Sequence, residues 1–177
     1  MPDESCVLAK KSPTSHIRST TMSASTTCNT TMQVQPYLFF NGNCDEALAF
    51  YQQAVGAKVI MKMHYKDSPM PPTEGCTPIS GDKVMHARLQ IGGSLVFAAD
   101  SHEAGQNSFQ GFSLSLTVAE ATQAEKYFNA LTAGGTVRMP LGPTFFSPSF
   151  GMLVDKYGVC WMVYVAPNPE CQPAAKA

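Results

Sequence analysis

The chain contains an internal repeat that is long enough to be a structural unit. Residues 38–59 (LFFNGNCDEALAFYQQAVGAKV) align with residues 116–137 (LTVAEATQAEKYFNALTAGGTV) at a constant shift of 78 residues. The alignment places Gly56 on Gly134, and each copy has the order strand, turn, helix, glycine, strand. A repeat with a fixed period indicates a duplicated supersecondary unit. We therefore expect two halves with the same topology.

Helical periodicity predicts one helix in each half. Apolar residues from Ala47 to Val55 recur at positions i, i+3, i+4, i+7 and i+8, which indicates a helix with one buried face. Gly56 is the expected residue at its C-terminal end, because glycine readily adopts the left-handed conformation that ends helices. A second apolar stripe runs from Ala121 to Leu131. The remaining apolar segments predict strands at 58–65, 83–91, 94–100, 150–156 and 159–165, so each half reads β-α-β-β-β.

Composition separates the repeated region from two tails. Residues 1–31 are rich in Ser and Thr and show no apolar period, which predicts a disordered segment. Residues 168–177 form a second polar tail. Residues 32–167 are predicted to form a single domain of two halves, at about 34–101 and 111–166.

Charge and cysteine content restrict the partners and the compartment. The formal net charge is −1, so nothing favours nucleic acid or an anionic membrane as a partner. The apolar runs have the length of strands and are too short to cross a bilayer. The six cysteines form no CxxC pair, and scattered thiols are typical of a reducing compartment. We predict a cytoplasmic protein.

Strand alternation divides the side chains between a face that packs against helices and an opposite face. In the strand at 83–91 it places Val84, His86, Arg88 and Gln90 on the opposite face. Exposed aromatic residues there are costly in water, and a cavity lined by aromatics with a few polar groups is a common small-molecule site. Burial by a partner subunit or by the other half is the alternative. The candidate ligand-binding residues on this face are Tyr37, Phe39, His86, Arg88, Phe97, Ser113, Ser115, Met162 and Tyr164.

Each polar candidate has a structural interpretation beside the functional one. His86 is suited to acid, base or ligand roles near neutral pH, or it is a hydrogen-bonded structural histidine. Arg88 either neutralises an anionic ligand or forms a surface ion pair. Asp100 and Asp155 lie at hairpin and strand ends, where aspartate commonly stabilises turns, and Trp161 is expected in the core. The spacing assigns no Ser-His-Asp or Cys-His arrangement, so nucleophilic catalysis has no support.

Three segments resemble the signatures of one protein family. PYLFFNGNCDEALAFYQQAVGAKV resembles the opening of PhnB-like proteins, KVMHARLQIGGSLVFAAD their middle signature and FGMLVDKYGVCWMV their closing one. The segments occur in the family's order and span about Val34 to Ala166. The chain therefore resembles the PhnB-like branch of the vicinal oxygen chelate superfamily. That superfamily includes glyoxalases, extradiol dioxygenases and bleomycin resistance-like proteins that bind antibiotics.

The resemblance implies an α+β fold of paired βαβββ modules that form an open curved mixed sheet with helices on the outer face. It also implies a homodimer. Relatives often have Phe-Trp-Gly and an arginine before the last hairpin, where this chain has Phe146 and Ser149. A function that requires that tryptophan or arginine therefore has no support. Some names in the branch refer to ubiquinone methyl transfer, but no Gly-rich loop after a strand supports S-adenosylmethionine binding.

The resemblance also bears on metal binding. Metal-dependent relatives take four ligands, mostly His and Glu, from the first and last strand of each half, and the matching positions are Gln35, Ser113, Phe97 and Met162. These side chains lack the imidazole and carboxylate donors that a catalytic divalent ion requires, so we predict no cofactor. The favoured function is binding of an unidentified small organic molecule without a catalytic metal. The alternatives are a divalent-metal-dependent glyoxalase or dioxygenase type of enzyme, and a resistance protein that sequesters a toxic compound.

Overall fold

The computed structural model of the chain describes residues 32–69, 79–101 and 109–166, and the two predicted tails lie outside these ranges. The two repeats have the same order of elements. The first contains β1 (Tyr37–Phe40), α1 (Cys44–Val55), β2 (Lys58–His64), a short 3-10 turn (Tyr65–Asp67), β3 (Val84–Ile91) and β4 (Ser94–Asp100). The second contains β5 (Leu114–Val118), α2 (Ala121–Thr132), β6 (Thr136–Gly142), β7 (Phe150–Val154) and β8 (Cys160–Val165).

Hydrogen bonding gives the two repeats the same sheet. The strand order is β1-β4-β3-β2 in the first sheet and β5-β8-β7-β6 in the second. In each sheet the first strand runs parallel to the last strand of its repeat, and the other pairs are antiparallel. A register shift between Val59 and Met61 recurs between Val137 and Met139, at the repeat distance. The predicted α+β fold of paired βαβββ modules is confirmed, and its eight strands are divided between two mixed sheets.

Alternation along the strands places apolar side chains under the helices. In β1, Leu38 and Phe40 are 1% and 0% exposed, whereas Tyr37 and Phe39 are 38% and 56% exposed. In β8, Trp161 is buried, which confirms its predicted place in the core. The hydrophobic burial of one face therefore sets which side chains are left on the other face.

We call the side of each sheet that is turned away from the core its open face. The ladder partners of each strand identify the side chains on that side. The first open face contains Tyr37, Phe39, Met61, Met63, His86, Arg88 and Phe97. The second open face contains Ser115, Thr117, Met139, Phe150, Met152, Met162 and Tyr164.

The start of β3 departs from simple alternation. The prediction that Val84 shares a face with His86 is wrong, because Val84 is fully buried. A register shift between Met63 and His64 in the pairing of β2 with β3 changes the side to which Val84 points. The backbone N–H of Val84 donates a hydrogen bond of 2.8 Å to the Asp100 carboxylate.

The helix ends follow from local chemistry. Gly56 ends α1 in the left-handed region at a φ of 66°, and Gly134 just after α2 has a φ of 77°. At the start of α1, the backbone N–H of Cys44 donates to Asp100 at 3.0 Å, so this carboxylate joins β4 to the starts of both α1 and β3. Neither helix is long and apolar enough to cross a membrane, as far as the described residues extend.

A single core joins the two repeats. Helix α1 contacts α2, and buried residues of both repeats form one hydrophobic cluster. Where the repeats meet, one oxygen of the Asp155 carboxylate accepts hydrogen bonds from the Tyr51 hydroxyl at 2.8 Å and from the Trp161 indole N–H at 2.9 Å. The other oxygen accepts from the backbone N–H groups of Tyr157 and Val159. Asp155 therefore has its predicted turn role and also binds α1 of the other repeat.

Replacing Asp155 by asparagine should destabilise the protein. Both carboxylate oxygens accept two hydrogen bonds, so either orientation of the amide would set its NH₂ group against donors. Leaving buried polar groups unsatisfied in this way costs about 1–3 kcal/mol. We expect the free energy of unfolding of Asp155→Asn, measured by urea denaturation, to fall by that amount.

Asp82→Asn is the matched control for that experiment. Asp82 lies on the surface and forms an ion pair of 2.8 Å with the exposed Lys66, so its loss should leave the unfolding midpoint almost unchanged. Equal effects of the two substitutions would show that Asp155 does not hold the repeats together.

Candidate functional site

A tyrosine and a histidine form the polar centre of the first open face. Tyr37 on β1 and His86 on β3 are separated by β4, and their side chains meet across it. The Tyr37 hydroxyl oxygen and His86 Nδ1 share a hydrogen bond of 2.8 Å. When the phenol donates to Nδ1, the imidazole proton is on Nε2, and the ring presents that N–H to whatever lies on the face.

Aromatic rings surround this hydrogen bond. Tyr37 stacks on Phe39 with ring centroids 4.7 Å apart, and Phe97 on β4 lies 6.0 Å from Tyr37 and 5.5 Å from His86. These four rings form a continuous surface, of which Phe39 is the most exposed phenylalanine. The predicted residues Tyr37, Phe39, His86 and Phe97 are therefore brought together by the fold.

Arg88 completes this group. It lies two residues from His86 on the same face of β3, pairs with Phe97 in the β3–β4 ladder, and places its guanidinium 5.5 Å from the Phe97 ring centroid. Its side chain is exposed, and among the described residues it makes no ion pair. The expectation of a surface ion pair is therefore not met in the described part of the chain.

The environment of His86 favours the neutral imidazole. Burial lowers the pKa of His86 below its ordinary value, and the positive charge of Arg88 lowers it further. Burial also raises the pKa of Tyr37, so the phenol keeps its proton. The pair is thus uncharged near neutral pH, with Arg88 as the charged group beside it.

The second open face has a different chemistry. Its predicted residues Ser115, Met162 and Tyr164 lie on β5 and β8, where Ser115 pairs with Met162. Met162 also pairs with Met152, and Met152 pairs with Met139, so the three methionines form one row across the sheet. We call these three residues the methionine row.

Sequence reasoning missed two members of the methionine row. Met152 alternates with Gly151 and Leu153, which are both buried, and this alternation was a signal that could have placed it on the open face. Met139 follows the register shift in β6, so alternation from the start of that strand does not predict its side.

The two groups of candidates do not meet within the described residues. No hydrogen bond, ion pair or ring contact there joins Tyr37, His86 or Phe97 to the second open face. Ser113 and Ser115 instead line a groove of about 480 Å³ with the Gly92–Gly93 turn of the first repeat. A site that uses both faces therefore needs a further element to bring them together.

The metal-ligand positions inferred from the resemblance fall on both sheets. Phe97 lies on the first open face and Met162 on the second, while Gln35 and Ser113 precede β1 and β5. In the described ranges, no three His, Cys, Asp or Glu side chains are grouped so that they could hold a metal ion. The donors at the four positions are an amide, a hydroxyl, an aromatic ring and a thioether, a set that suits a catalytic divalent ion poorly.

The loop between β6 and β7 contains the departures from the family pattern. Phe146 lies with its ring 5.1 Å from Phe150, which is on the second open face, and the adjacent Phe145 is fully exposed. Ser149, at the place of the relatives' arginine, is buried. The Ser147 hydroxyl donates to the carbonyls of Ser149 and Val165 at 2.8 Å, which fixes the loop to the end of β8.

The fold and its open faces define a class of protein. Two βαβββ modules with parallel first and last strands are the architecture of the vicinal oxygen chelate superfamily, and solved members of that superfamily share this fold. Within it, the chain belongs to the PhnB-like family described as 3-demethylubiquinone-9 3-methyltransferase, which matches residues 32–164. The resemblance inferred from the three signatures is confirmed.

Several relatives are similar over the whole domain. Protein PA1353 from Pseudomonas aeruginosa is 44% identical, and the match covers 78% of this chain and all of that one with a TM-score of 0.68. The PhnB protein from Bacillus cereus is 28% identical, with 76% and 100% covered and a TM-score of 0.64. Protein YjdN from Escherichia coli K12 is 32% identical over an alignment of 147 residues, and the match covers 80% of this chain and 100% of the relative.

The coupling between Arg88 and His86 can be measured directly. Removing the charge in Arg88→Gln should raise the pKa of His86, because protonation of the imidazole would no longer be opposed by the guanidinium. Burial persists in the variant, so the pKa should stay below its ordinary value. An NMR titration of the histidine ring signals measures this shift, and Lys126→Gln on α2 is the charge-matched control, for which we expect no change.

The lowered pKa of His86 also gives the stability of the protein a pH dependence of known sign. A histidine whose pKa is lowered by folding contributes stability above its unfolded pKa, and that stability is lost as the pH falls through the folded pKa. A His86 that titrates above its ordinary value in the wild type would contradict the described environment.

Proposed function

We propose that the protein binds a small organic molecule against its open faces and that binding requires no catalytic metal. The observation that carries this proposal is the ring cluster on a face without a covering element in the described chain, in which Tyr37 contacts Phe39, His86 and Phe97, and His86 also contacts Phe97. Contiguous aromatic surface with a few polar groups is the usual composition of a ligand site. The name of the family does not decide the reaction, because one fold hosts many functions.

A second copy of the chain is the proposed cover for this surface. β1 and β5 are edge strands of their sheets, and each open face has large apolar side chains, with Phe39 56% exposed. Exposed edges and apolar patches are commonly covered by association. A homodimer that sets the first open face of one copy against the second open face of its partner would bring the two groups of candidates together. The cavity would then be lined by aromatic rings on one side and by the methionine row on the other.

The side chains at the four candidate ligand positions lack the donors that a catalytic metal requires. Zinc, nickel and manganese sites are built from imidazole, carboxylate or thiolate donors, and the positions that correspond to ligands in metal-dependent relatives are Gln35, Ser113, Phe97 and Met162. His86 would be one ligand alone. Cys44 and Cys160, the cysteines within the described ranges, are free thiols, in keeping with the cytoplasm as the proposed compartment.

Native mass spectrometry of protein purified without added ligand tests the site. After expression with zinc, nickel and manganese supplied, we expect no stoichiometric metal, and any bound mass should be that of an organic molecule. Near-stoichiometric metal that disappears in His86→Ala would instead support the metal-dependent glyoxalase or dioxygenase type of enzyme. Tight stoichiometric retention of a compound without turnover would support the sequestering function.

The homodimer makes a separate prediction. Phe39→Asp should weaken association at least about tenfold, because a carboxylate in a covered apolar interface loses its hydration without gaining a partner. Phe39 is half exposed, so the substitution should leave the folded chain intact. Sedimentation equilibrium at low micromolar concentration measures the change.

Gln53→Asp is the control for Phe39→Asp, because Gln53 is exposed on α1 and therefore lies on the helix side of the first sheet. It adds the same charge and should leave the dimer unchanged. A wild-type chain that sediments as a monomer would refute the proposed closure.

A further inference from the structure

The charges of the described residues are unevenly distributed between the core side and the open faces. Arg88 is on the first open face, and Lys58 pairs with Gln90 at the far end of the same β2–β3 ladder. The carboxylates are elsewhere. Those at the helices lie on α1, on α2 or just before α2, and the others lie in the segments that flank β2 and β3 or in the core. They are Asp45, Glu46, Glu120, Glu125, Asp67, Asp82, Asp100 and Asp155.

The buried and paired carboxylates are already engaged. Asp100 and Asp155 accept hydrogen bonds from backbone and side-chain donors inside the core. Asp45 binds Lys62 at 2.6 Å and His64 at 3.1 Å, and Asp82 binds Lys66 at 2.8 Å. Neither open face therefore offers Arg88 an anionic partner within the described ranges.

Covering the first open face makes this imbalance costly. A guanidinium that loses water needs hydrogen-bond acceptors, and a buried charge without a partner is strongly unfavourable. The described residues of the second open face, which the proposed dimer would set opposite, contribute hydroxyl, thioether and aromatic groups but no carboxylate. No described residue supplies the missing negative charge, so a bound anion would pair with Arg88.

The geometry points to a flat, apolar ligand that carries one oxyanion of the carboxylate or sulfonate type. Arg88 and the His86 Nε2–H would hold the oxyanion, and the flat part of the ligand would lie against Phe39 and Phe97. This inference rests on the proposed function and names the class of molecule that the same site takes. Arg88 and His86 are two residues apart on one face, so their donors can reach a single oxyanion. The cation–π contact of Arg88 with Phe97 positions the guanidinium at the edge of the aromatic surface, where the apolar and charged parts of such a ligand would adjoin.

The test uses two fluorescent probes that differ in charge. 8-Anilinonaphthalene-1-sulfonate is an aromatic anion, and N-phenyl-1-naphthylamine is its neutral counterpart. We expect the wild-type protein to bind the sulfonate more tightly. In Arg88→Gln the affinity for the sulfonate should fall about tenfold, the scale of a lost charge-assisted pair, and the affinity for the neutral probe should stay the same.

Two further variants distinguish a wrong assignment of the ligand's charge from a wrong assignment of the binding site. Lys126→Gln on α2 removes one positive charge from the helix side and should change neither affinity. Phe39→Ala removes apolar surface from the site and should weaken both probes. Equal binding of the two probes, with no selective effect of Arg88→Gln, would overturn the anionic ligand while the effect of Phe39→Ala still supports the site. If Phe39→Ala changes neither probe, the open face is not the binding site, and the proposed function fails together with the inference.

Discussion

The hydrogen bonds of the Asp155 carboxylate hold the two repeats in one arrangement. One oxygen fixes the β7–β8 turn through two backbone N–H groups, and the other binds Tyr51 of α1 and Trp161 of β8. Burial raises the pKa of Asp155, and the four donors oppose that effect by favouring the charged form. The contact with Tyr51 joins residues 104 positions apart, and it lies beside the hydrophobic cluster through which the helix of the first repeat packs on the second. The orientation of both open faces depends on that packing.

The sequence was sufficient to predict the repeat, the helices and most of the strand faces. The 78-residue shift, the apolar stripes and the alternation in β1 and β8 are local patterns, and burial of one face makes them reliable guides to side-chain direction. Gly56 and Gly134, aligned by the repeat, both adopt positive φ, which a local rule for helix ends predicts.

What could not be predicted depends on contacts between distant segments. The register shift that buries Val84 depends on how β2 pairs with β3, and no local alternation encodes it. The turn role of Asp155 was visible from its position, but its contact with Tyr51 required knowledge of which helix lies beside the turn. In the same way, alternation grouped the candidate residues on one face, whereas the structure divides them between two separate sheets, and that division follows from the packing of the repeats.

The two sheets share a backbone plan but present different surfaces at equivalent places. In the row where the first sheet has Met61, Arg88, Phe97 and Tyr37, the second has Met139, Met152, Met162 and Ser115. The duplication therefore preserves the ladder positions, while in this row the charge and the rings occur in the first repeat only. A small molecule that contacted both surfaces would be oriented by the first sheet.

The methionine row has a mechanical consequence. A thioether side chain is unbranched and changes rotamer at little cost, so a surface made of three such chains can alter its contour without moving the strands beneath it. The rings of Phe39 and Phe97, which both contact the Tyr37 ring, lack that freedom. The ring cluster is thus the more rigid surface and the methionine row the more compliant one, so variation in the shape of a guest would be absorbed by Met139, Met152 and Met162 rather than by the rings.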